Sequence, residues 1–235
     1  NREQLLALKF LEKVNNKFDV SVLQGTTGSG KTLVYFERLK KIIKQNKQAL
    51  VLLPEIFLTN DFKSRFENFF GFEPAIWHSK ITPKNKRIIW KGVIQNQIRI
   101  VVGARSSLLL PFKKLGIIIV DEEHDASYKQ ESPSPRYHAR DVAIMRGKIE
   151  NCSVVLSSAT PSLETFYNYK VKKHNYLSLP KRYGVAVYPK VKVVDLIDES
   201  RETGKFNIII SGTLQQKIEE RLNNNEQVLL IQNRR

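Results

Sequence analysis

Short apolar runs rich in Val, Ile and Leu alternate with longer amphipathic stretches along most of the chain. The runs have the length of buried strands, and the stretches repeat apolar residues at helical spacing. The pattern predicts strands at 20–24, 49–53, 74–77, 98–102, 117–121 and 153–156, and helices at 2–14, 31–45, 58–70, 83–97, 139–150 and 162–169. This alternation is typical of βαβ units. We therefore predict an α/β fold with a doubly wound, mainly parallel sheet.

Both patterns lapse near residues 180–190, where proline, glycine and basic residues indicate a linker. Residues 1–179 would then form a first lobe, and residues 191–235 the truncated start of a second α/β lobe. In that second part the pattern predicts a strand at 191–196, a helix at 213–223 and a strand at 228–231. These elements are too few for a domain, and the chain does not start with methionine. We expect a fragment of a longer polypeptide.

Basic residues dominate the charge, with 39 Lys and Arg against 23 Asp and Glu and a formal net charge of +16. A field of this sign attracts polyanions such as nucleic acids, although a generally basic proteome would give the same balance. The one cysteine, Cys152, excludes a disulfide framework and indicates a buried thiol in a reducing compartment. No apolar run reaches the roughly 18 to 20 residues that cross a bilayer. We expect a cytoplasmic, nucleoid-associated protein without membrane partners.

Residues 25–32 match the P-loop pattern G-x-x-x-x-G-K-[ST] between a predicted strand and a predicted helix. Glycines let backbone N–H groups surround a phosphate, and the helix N-terminus adds its positive dipole. Lys31 would reach the β- and γ-phosphates, and the Thr32 hydroxyl would bind Mg²⁺. The sequence thus predicts ATP and Mg²⁺ as ligands of a nucleotide site formed by Gly25, Thr26, Thr27, Gly28, Ser29, Gly30, Lys31 and Thr32.

A second chemical signal is a run of aliphatic residues that ends in Asp121 and Glu122. A central parallel strand delivers such acids to the carboxyl edge of the sheet. We predict that Asp121 and Thr32 hold Mg²⁺, while Glu122 polarises the attacking water and acts with Lys31 as a catalytic residue. Taken alone, a strand that ends in acids is often only the start of a solvated loop. The P-loop nearby favours the catalytic interpretation.

Four further segments, at 53–59, 102–107, 120–130 and 135–141, occur in an order and spacing that resemble the PriA (primosomal protein N′) family of superfamily 2 helicases. The resemblance runs from about residue 4 to residue 235. It implies a RecA-like P-loop NTPase lobe from a 3′ to 5′ DNA helicase, with DNA-stimulated ATP hydrolysis, that acts in replication restart and primosome assembly at stalled forks. The partners it implies are single-stranded and forked DNA, primosome proteins, single-stranded DNA-binding protein and the replicative helicase loader.

The resemblance also implies roles for individual residues outside the P-loop. Gln4 would read the adenine base. The coupling of the ATP site to DNA would involve His124, Ser158 and Thr160, and the DNA backbone would be contacted by Thr59, Arg105, Ser106 and Ser107. Simpler alternatives remain for each group. Thr59 and the serine and threonine before Pro161 can cap helices, and Arg105 can be a solvated loop charge.

Aromatic rings and cations alternate after the acidic motif. The resemblance makes this segment a loop that couples single-stranded DNA to ATP hydrolysis, with rings stacking on bases and cations pairing with phosphate. Its expected DNA-contacting residues are Tyr128, Arg136, Tyr137 and His138, with Lys129 and Arg140 as neighbouring cations. Tyrosines at a helix edge are more commonly packing residues.

The family also carries parts that do not occur in this sequence. Zn²⁺ is expected in the parent protein, but its cysteine ligands are absent from this chain, as are the later motifs of the second lobe. We expect the isolated fragment to unwind nothing by itself. Two other functions remain open: a double-strand DNA translocase subunit of a restriction-type enzyme, and a non-enzymatic DNA-binding scaffold that recruits other proteins.

Overall fold

The computed structural model describes residues 2–13, 17–182, 190–204 and 209–232. The chain divides into two compact units, residues 1–186 and 187–235. The helices of the first unit are α1 (Arg2–Lys13), α2 (Lys31–Lys44), α3 (Asn60–Phe70), α4 (Pro83–Ile94), α5 (Ala139–Ile149) and α6 (Leu163–Lys170). Its strands are β1 (Asp19–Gly25), β2 (Gln48–Leu52), β3 (Ala75–Trp77), β4 (Ile100–Gly103), β5 (Leu115–Asp121), β6 (Lys129–Gln130), β7 (Tyr137–His138), β8 (Ser153–Ser158) and β9 (Asn175–Leu179).

The main sheet has the strand order β3-β4-β2-β5-β8-β1-β9, and its neighbouring strands pair in parallel. The predicted α/β fold with a mainly parallel sheet is confirmed. The pattern missed β9, which pairs with β1 at one end of the sheet. Only Leu179 of that strand is fully buried, so its sequence lacks the apolar run of the central strands. All carboxyl ends of these strands meet at one edge, where the P-loop and the acidic motif lie.

The core consists of two apolar clusters, one on each face of the sheet. Strand β5 shows why its sequence is continuously aliphatic: Ile117 and Ile119 contribute to one cluster, while Ile118 and Val120 contribute to the other. All four side chains have no exposed surface. Burial of each is worth roughly 1.5 to 3 kcal/mol, so β5 is a rigid support for the acids at its end.

Helix starts follow from side chains that accept the free N–H groups of the first turn. Thr59 caps α3, Thr82 caps α4 just before Pro83, and Ser162 caps α6. Helix α3 ends at Gly71, whose φ of +76° is the left-handed conformation that glycine adopts without strain. These local signals place the helices of the first unit close to their predicted positions.

The second unit contains α7 (Leu196–Thr203) and α8 (Gly212–Asn223). The predicted helix at 213–223 is confirmed. The predicted strands at 191–196 and 228–231 are wrong, because among the described residues of this unit neither segment pairs with a strand. Asp195 instead caps α7, and Val193 and Ile231 are each 89% exposed. A strand needs a neighbour to satisfy its backbone, and alternation alone does not supply one.

The assignment of this unit to a second lobe stays a prediction. Most of the predicted linker and residues 233–235 lie outside the described residues. Within the described part of the chain, no helix combines the length and apolar character that a membrane span requires.

Candidate ATP site and its links to nucleic acid

The P-loop joins β1 to α2 and depends on glycine at specific positions. Gly28 and Gly30 have φ of +80° and +86°, a conformation that side chains rarely tolerate. A Cβ atom at Gly30 would lie 2.1 Å from Gln4 Nε2, and one at Gly25 would lie 2.5 Å from Ser29 Oγ. The predicted glycines are therefore required both by backbone conformation and by close packing.

Lys31 is the first residue of α2, and its Nζ donates to the Gly25 carbonyl at 2.7 Å. The side chain is 8% exposed and lies against the P-loop. Within the described part of the chain, Thr26 Oγ1 and Ser29 Oγ are buried side-chain oxygens without a hydrogen-bond partner. Buried hydroxyls of this kind suit a ligand that brings acceptor oxygens, such as a phosphate.

Gln4 lies on α1 beside the P-loop, where its Nε2 donates to the Ser29 carbonyl at 3.2 Å. It lines a cavity of about 840 Å³ together with Lys31, Thr32, Asp121 and Glu122. The structure thus brings Gln4 to the predicted nucleotide site from a different element. Its recognition of adenine stays a prediction.

Asp121 ends β5 and is held by three donors. Ser157 Oγ donates at 2.7 Å, Tyr35 OH at 2.9 Å and the Glu122 N–H at 3.1 Å. Burial and the charge of Asp121 raise the pKa of Tyr35 well above its ordinary value, so Tyr35 remains a neutral donor. These contacts fix the direction in which the carboxylate faces the cavity.

Sequence reasoning missed Tyr35 and Ser157, although both had a detectable signal. Tyr35 follows Lys31 by four residues, which places the two on the same helix face. Ser157 stands directly opposite Asp121 in the β5–β8 register. A serine after three apolar residues of a central strand is therefore a candidate partner for an acid at the end of the neighbouring strand.

Glu122 has a φ of +48°, which turns the chain sharply at the end of β5. Burial and the neighbouring Asp121 carboxylate raise the pKa of Glu122, while Lys31 and His124 lower it in part. A raised pKa and a place in the cavity beside Lys31 are what a general base for water requires. Two adjacent acids thus have different surroundings and can serve different roles.

The donor set fits a magnesium-bound nucleotide. Mg²⁺ in phosphate sites commonly takes one or two protein oxygens and completes its shell with phosphate and water. Asp121 and Thr32 line the same cavity and would hold the ion. Within the described residues, no group of three or more His, Cys, Asp or Glu side chains forms a separate metal cluster. Bound there, Mg²⁺ would supply positive charge to the transferred phosphate.

His124 and the end of β8 are in direct contact. His124 Nδ1 lies 2.8 Å from Ser158 Oγ and 3.7 Å from Glu122 Oε2. Ser158 Oγ also accepts from the Thr160 N–H at 2.9 Å. The three residues predicted to couple ATP to DNA therefore form one chain of contacts that begins at Glu122. Their coupling role stays a prediction.

Glu123 forms a buried network that sequence reasoning did not identify. The carboxylate accepts from Arg140 at 3.2 Å, from the Ser162 backbone at 2.7 Å and from Thr165 Oγ1 at 3.0 Å. Burial alone would lower the pKa of Arg140, but its contacts with Asp141 and Glu123 raise it overall. Arg140 was expected to be a cation for DNA phosphate. That expectation is wrong, because the guanidinium is buried and engaged by protein carboxylates.

Tyr128 requires a correction as well. It was expected to stack on DNA, but its side chain has no exposed surface. Its hydroxyl lies 2.6 Å from the Asp121 carbonyl and 3.0 Å from the Leu52 carbonyl. Tyr128 therefore ties the ends of β5 and β2 together and cannot offer its ring to a base.

The other predicted members of the aromatic loop lie in the small antiparallel hairpin of β6 and β7. Arg136 is exposed, whereas Tyr137 and His138 are half-buried. His138 accepts from the Arg140 N–H and caps α5, and burial together with Arg140 lowers its pKa. A shallow groove of about 540 Å³ runs along this hairpin between Lys129 and His138. These residues remain available to a ligand.

The segments after β2 and β4 were expected to touch the DNA backbone. Thr59 is exposed but also caps α3. Arg105 donates to the Lys129 carbonyl at 2.8 Å, which joins the β4 loop to the aromatic hairpin. Ser106 is exposed and accepts from Trp77 Nε1 at 3.1 Å. Ser107 is fully buried and donates to the Ala104 carbonyl at 2.6 Å, so its predicted phosphate contact is wrong.

Comparison with known proteins places these observations in a family. Residues 2–168 match the DEAD/DEAH box helicase family. Over the whole chain, 41% of residues are identical to replication restart protein PriA of Rickettsia felis, of which the chain covers 35%. The PriA of Bacillus subtilis is also 41% identical, over 94% of this chain and 27% of its own length. The chain thus spans between about a quarter and about a third of the length of these curated relatives.

A solved structure agrees with the fold. The helicase domain of Pyrococcus furiosus Hef superposes with a TM-score of 0.53 at 18% identity, covering 74% of this chain and 37% of that protein. At this identity the similarity concerns the fold alone. With a family match over most of its length and a P-loop, an acidic strand end and a nucleotide-sized cavity in place, the chain belongs to the DEAD/DEAH box helicases.

Proposed function

We propose that this chain is the first motor lobe of an ATP-dependent DNA helicase that moves 3′ to 5′ and acts in replication restart and primosome assembly at stalled forks. The observation that carries the ATPase part is the shared cavity in which Glu122, with its raised pKa, lies beside Lys31 and Asp121. The replication-restart part rests on the relatives named replication restart protein PriA.

Each residue of the cavity has a defined task in this proposal. Lys31 and the P-loop amides bind the β- and γ-phosphates, and Asp121 with Thr32 holds Mg²⁺. Glu122 in its charged form orients water for attack on the γ-phosphate and accepts its proton. The hydroxyls of Tyr35 and Ser157 donate to the Asp121 carboxylate and hold it in one orientation. Asp121 then does not compete with Glu122 for the water.

DNA would influence this chemistry through contacts that start at the cavity. His124 connects Glu122 to Ser158, and Arg105 connects the β4 loop to the aromatic hairpin. A strand bound along Thr59, Ser106, Arg136 and Tyr137 would then act on the same loops that hold the catalytic acids. A second lobe would complete the ATP site, so the isolated chain should bind ATP weakly. We place the complete protein in the cytoplasm, at the nucleoid.

The decisive experiment is ATP hydrolysis by the complete protein with and without single-stranded DNA. Lys31→Ala should reduce DNA-stimulated turnover by at least 100-fold, on the order of the loss of an electrostatic transition-state contact. Lys40→Ala, at an exposed position on the same helix, is the matched control and should retain turnover. Undiminished hydrolysis in Lys31→Ala would refute the assignment. Strand displacement on forked DNA distinguishes a helicase from a double-strand translocase.

A further inference from the structure

The edge of the sheet opposite the ATP site carries seven cations. Because all strands of the main sheet are parallel, the segments that lead into them lie together at its amino edge. The cations of these segments are Lys17 before β1, Lys47 before β2, Arg99 before β4, Lys113 and Lys114 before β5, and Lys172 and Lys173 before β9. We call this set the amino-edge row.

Few acids offset this charge. Glu73 precedes β3 at the end of the sheet, and Glu150 is already paired with Arg146 at 3.4 Å. Asp19 accepts from the neutral Ser21 Oγ at 2.6 Å, so its negative charge stays at this edge and offsets part of the row. Within the described residues, the exposed lysines at 113, 114, 172 and 173 form no ion pair with any carboxylate. The carboxyl edge differs, because there the cations alternate with the acids of the ATP site and with Glu55, Asp125 and Glu131.

Buried side chains hold these segments in a fixed arrangement. Gln48 is fully buried, and its Oε1 accepts from the Lys113 and Lys114 N–H groups at 2.9 and 3.1 Å. Its Nε2 donates to the carbonyls of Val93 and Ile98. Asn151 Oδ1 accepts from the Phe18 N–H at 2.9 Å and so joins the segments before β8 and β1. The backbone of the segments before β5, β8 and β1 is therefore held in place.

The row is long enough to follow a nucleic-acid backbone over several phosphates. Five inter-strand intervals of about 4.8 Å separate β4 from β9 in the strand order. The row is therefore roughly 24 Å long. Duplex DNA rises about 3.4 Å per base pair, so the row extends along roughly seven base pairs. A shallow pocket near its centre adds amide donors and also contains one acid; its polar lining includes Asn46, Lys47, Lys114, Glu150 and Asn151.

Exposed rings, which single-stranded DNA sites use for base stacking, do not occur in the described segments that directly precede the strands, although Phe166 and Tyr167 are exposed on α6 just before Lys172. In the described segments that lead into β4, β2, β5, β8, β1 and β9, Phe112 is buried and Phe18 is half-buried. Cations without rings contact phosphates and leave bases unread. We infer that the amino-edge row is a second DNA-binding surface that holds the backbone of a duplex. The inference rests on the proposed DNA function and adds a contact site far from the ATP cavity.

The test compares two charge-matched variants of the complete protein. The row variant carries K113Q, K114Q, K172Q and K173Q, and the control variant carries K9Q, K40Q, K84Q and R87Q at exposed positions on helix faces. Both variants lose four positive charges. A difference in their duplex binding therefore reflects the position of the charges and not their number. Binding of a blunt-ended DNA duplex is measured without nucleotide at several salt concentrations, beside ATP hydrolysis on single-stranded DNA.

Each phosphate contact contributes about 0.9 to the slope of log affinity against log salt, so the row variant should lower that slope by roughly 2 to 4. The control variant should keep the original slope, and a row variant with arginine at the same positions should restore it. Equal losses in both glutamine variants, or an unchanged slope in the row variant, would overturn the inference. Normal ATP hydrolysis alongside an unchanged slope would refute the second surface alone. Absent hydrolysis in the unmodified protein would instead count against the proposed function.

Discussion

Glu123 and Arg140 form a buried ion pair at 3.2 Å, directly behind the acidic motif. Glu123 follows Glu122 in the chain, and Arg140 lies in the first turn of α5, just after the aromatic hairpin. Ser162 at the start of α6 donates to the same carboxylate. One side chain therefore connects the end of β5, the start of α5 and the start of α6.

Removal of Arg140 should be costly, because it leaves the Glu123 carboxylate buried without its cation. Arg140→Ala is expected to reduce the free energy of unfolding by roughly 3 to 5 kcal/mol, measured by denaturant titration of the complete protein. Arg136→Ala, at an exposed position just before β7, should change it by less than about 0.5 kcal/mol. If Arg140→Ala is as harmless as Arg136→Ala, the ion pair does not hold these elements together.

A substitution at Tyr128 can distinguish a structural role of this residue from a role in base stacking. Tyr128→Phe retains a ring but leaves the carbonyls of Leu52 and Asp121 without the hydroxyl, so the free energy of unfolding should fall by roughly 1 to 3 kcal/mol. Affinity for single-stranded DNA should stay unchanged. Arg136→Ala, at an exposed position, should show the reverse pattern, with weakened DNA binding and little change in stability. An unchanged free energy of unfolding in Tyr128→Phe would contradict the role of the hydroxyl in joining β5 to β2.

The pH dependence of ATP hydrolysis should follow the protonation of the Glu122 carboxylate. Its charged form is the active base, and burial next to Asp121 raises its pKa. Activity is then lost as pH falls through this raised value, so the acidic limb of the turnover profile should lie above the ordinary glutamate value of about 4.3. The profile is measured at saturating ATP and DNA with the complete protein. An acidic limb at or below the ordinary value would contradict Glu122 as a buried base.

Ser158 offers a test of communication between ATP and DNA. Ser158→Ala removes the hydroxyl that contacts both His124 Nδ1 and the Thr160 N–H. We expect hydrolysis without DNA to change less than twofold, while stimulation by single-stranded DNA falls at least tenfold. Ser153→Ala, at the other end of the same strand, serves as a control and should keep the stimulation. Equal losses with and without DNA would point to damage of the ATP site instead.

Local patterns predicted the elements of the first unit because its strands are buried on both faces. A strand such as β5 must be apolar at every position, and a P-loop requires glycine at fixed places. The same reasoning failed at β9 and at the two strands predicted for the second unit. Val191 and Val193 alternate as in a strand, but no neighbour pairs with them in the described part of the chain.

The sequence by itself determined the parallel α/β fold, the P-loop and the acids at the end of a central strand, because each depends on local spacing along the chain. Only the tertiary structure decided which polar residues face a ligand and which face the core. Tyr128, Ser107 and Arg140 have the residue types of a DNA surface, yet each is buried, and Tyr128 and Arg140 contact Leu52 and Glu123, which are distant in sequence. Burial is a property of packing between elements, and residue type alone does not encode it.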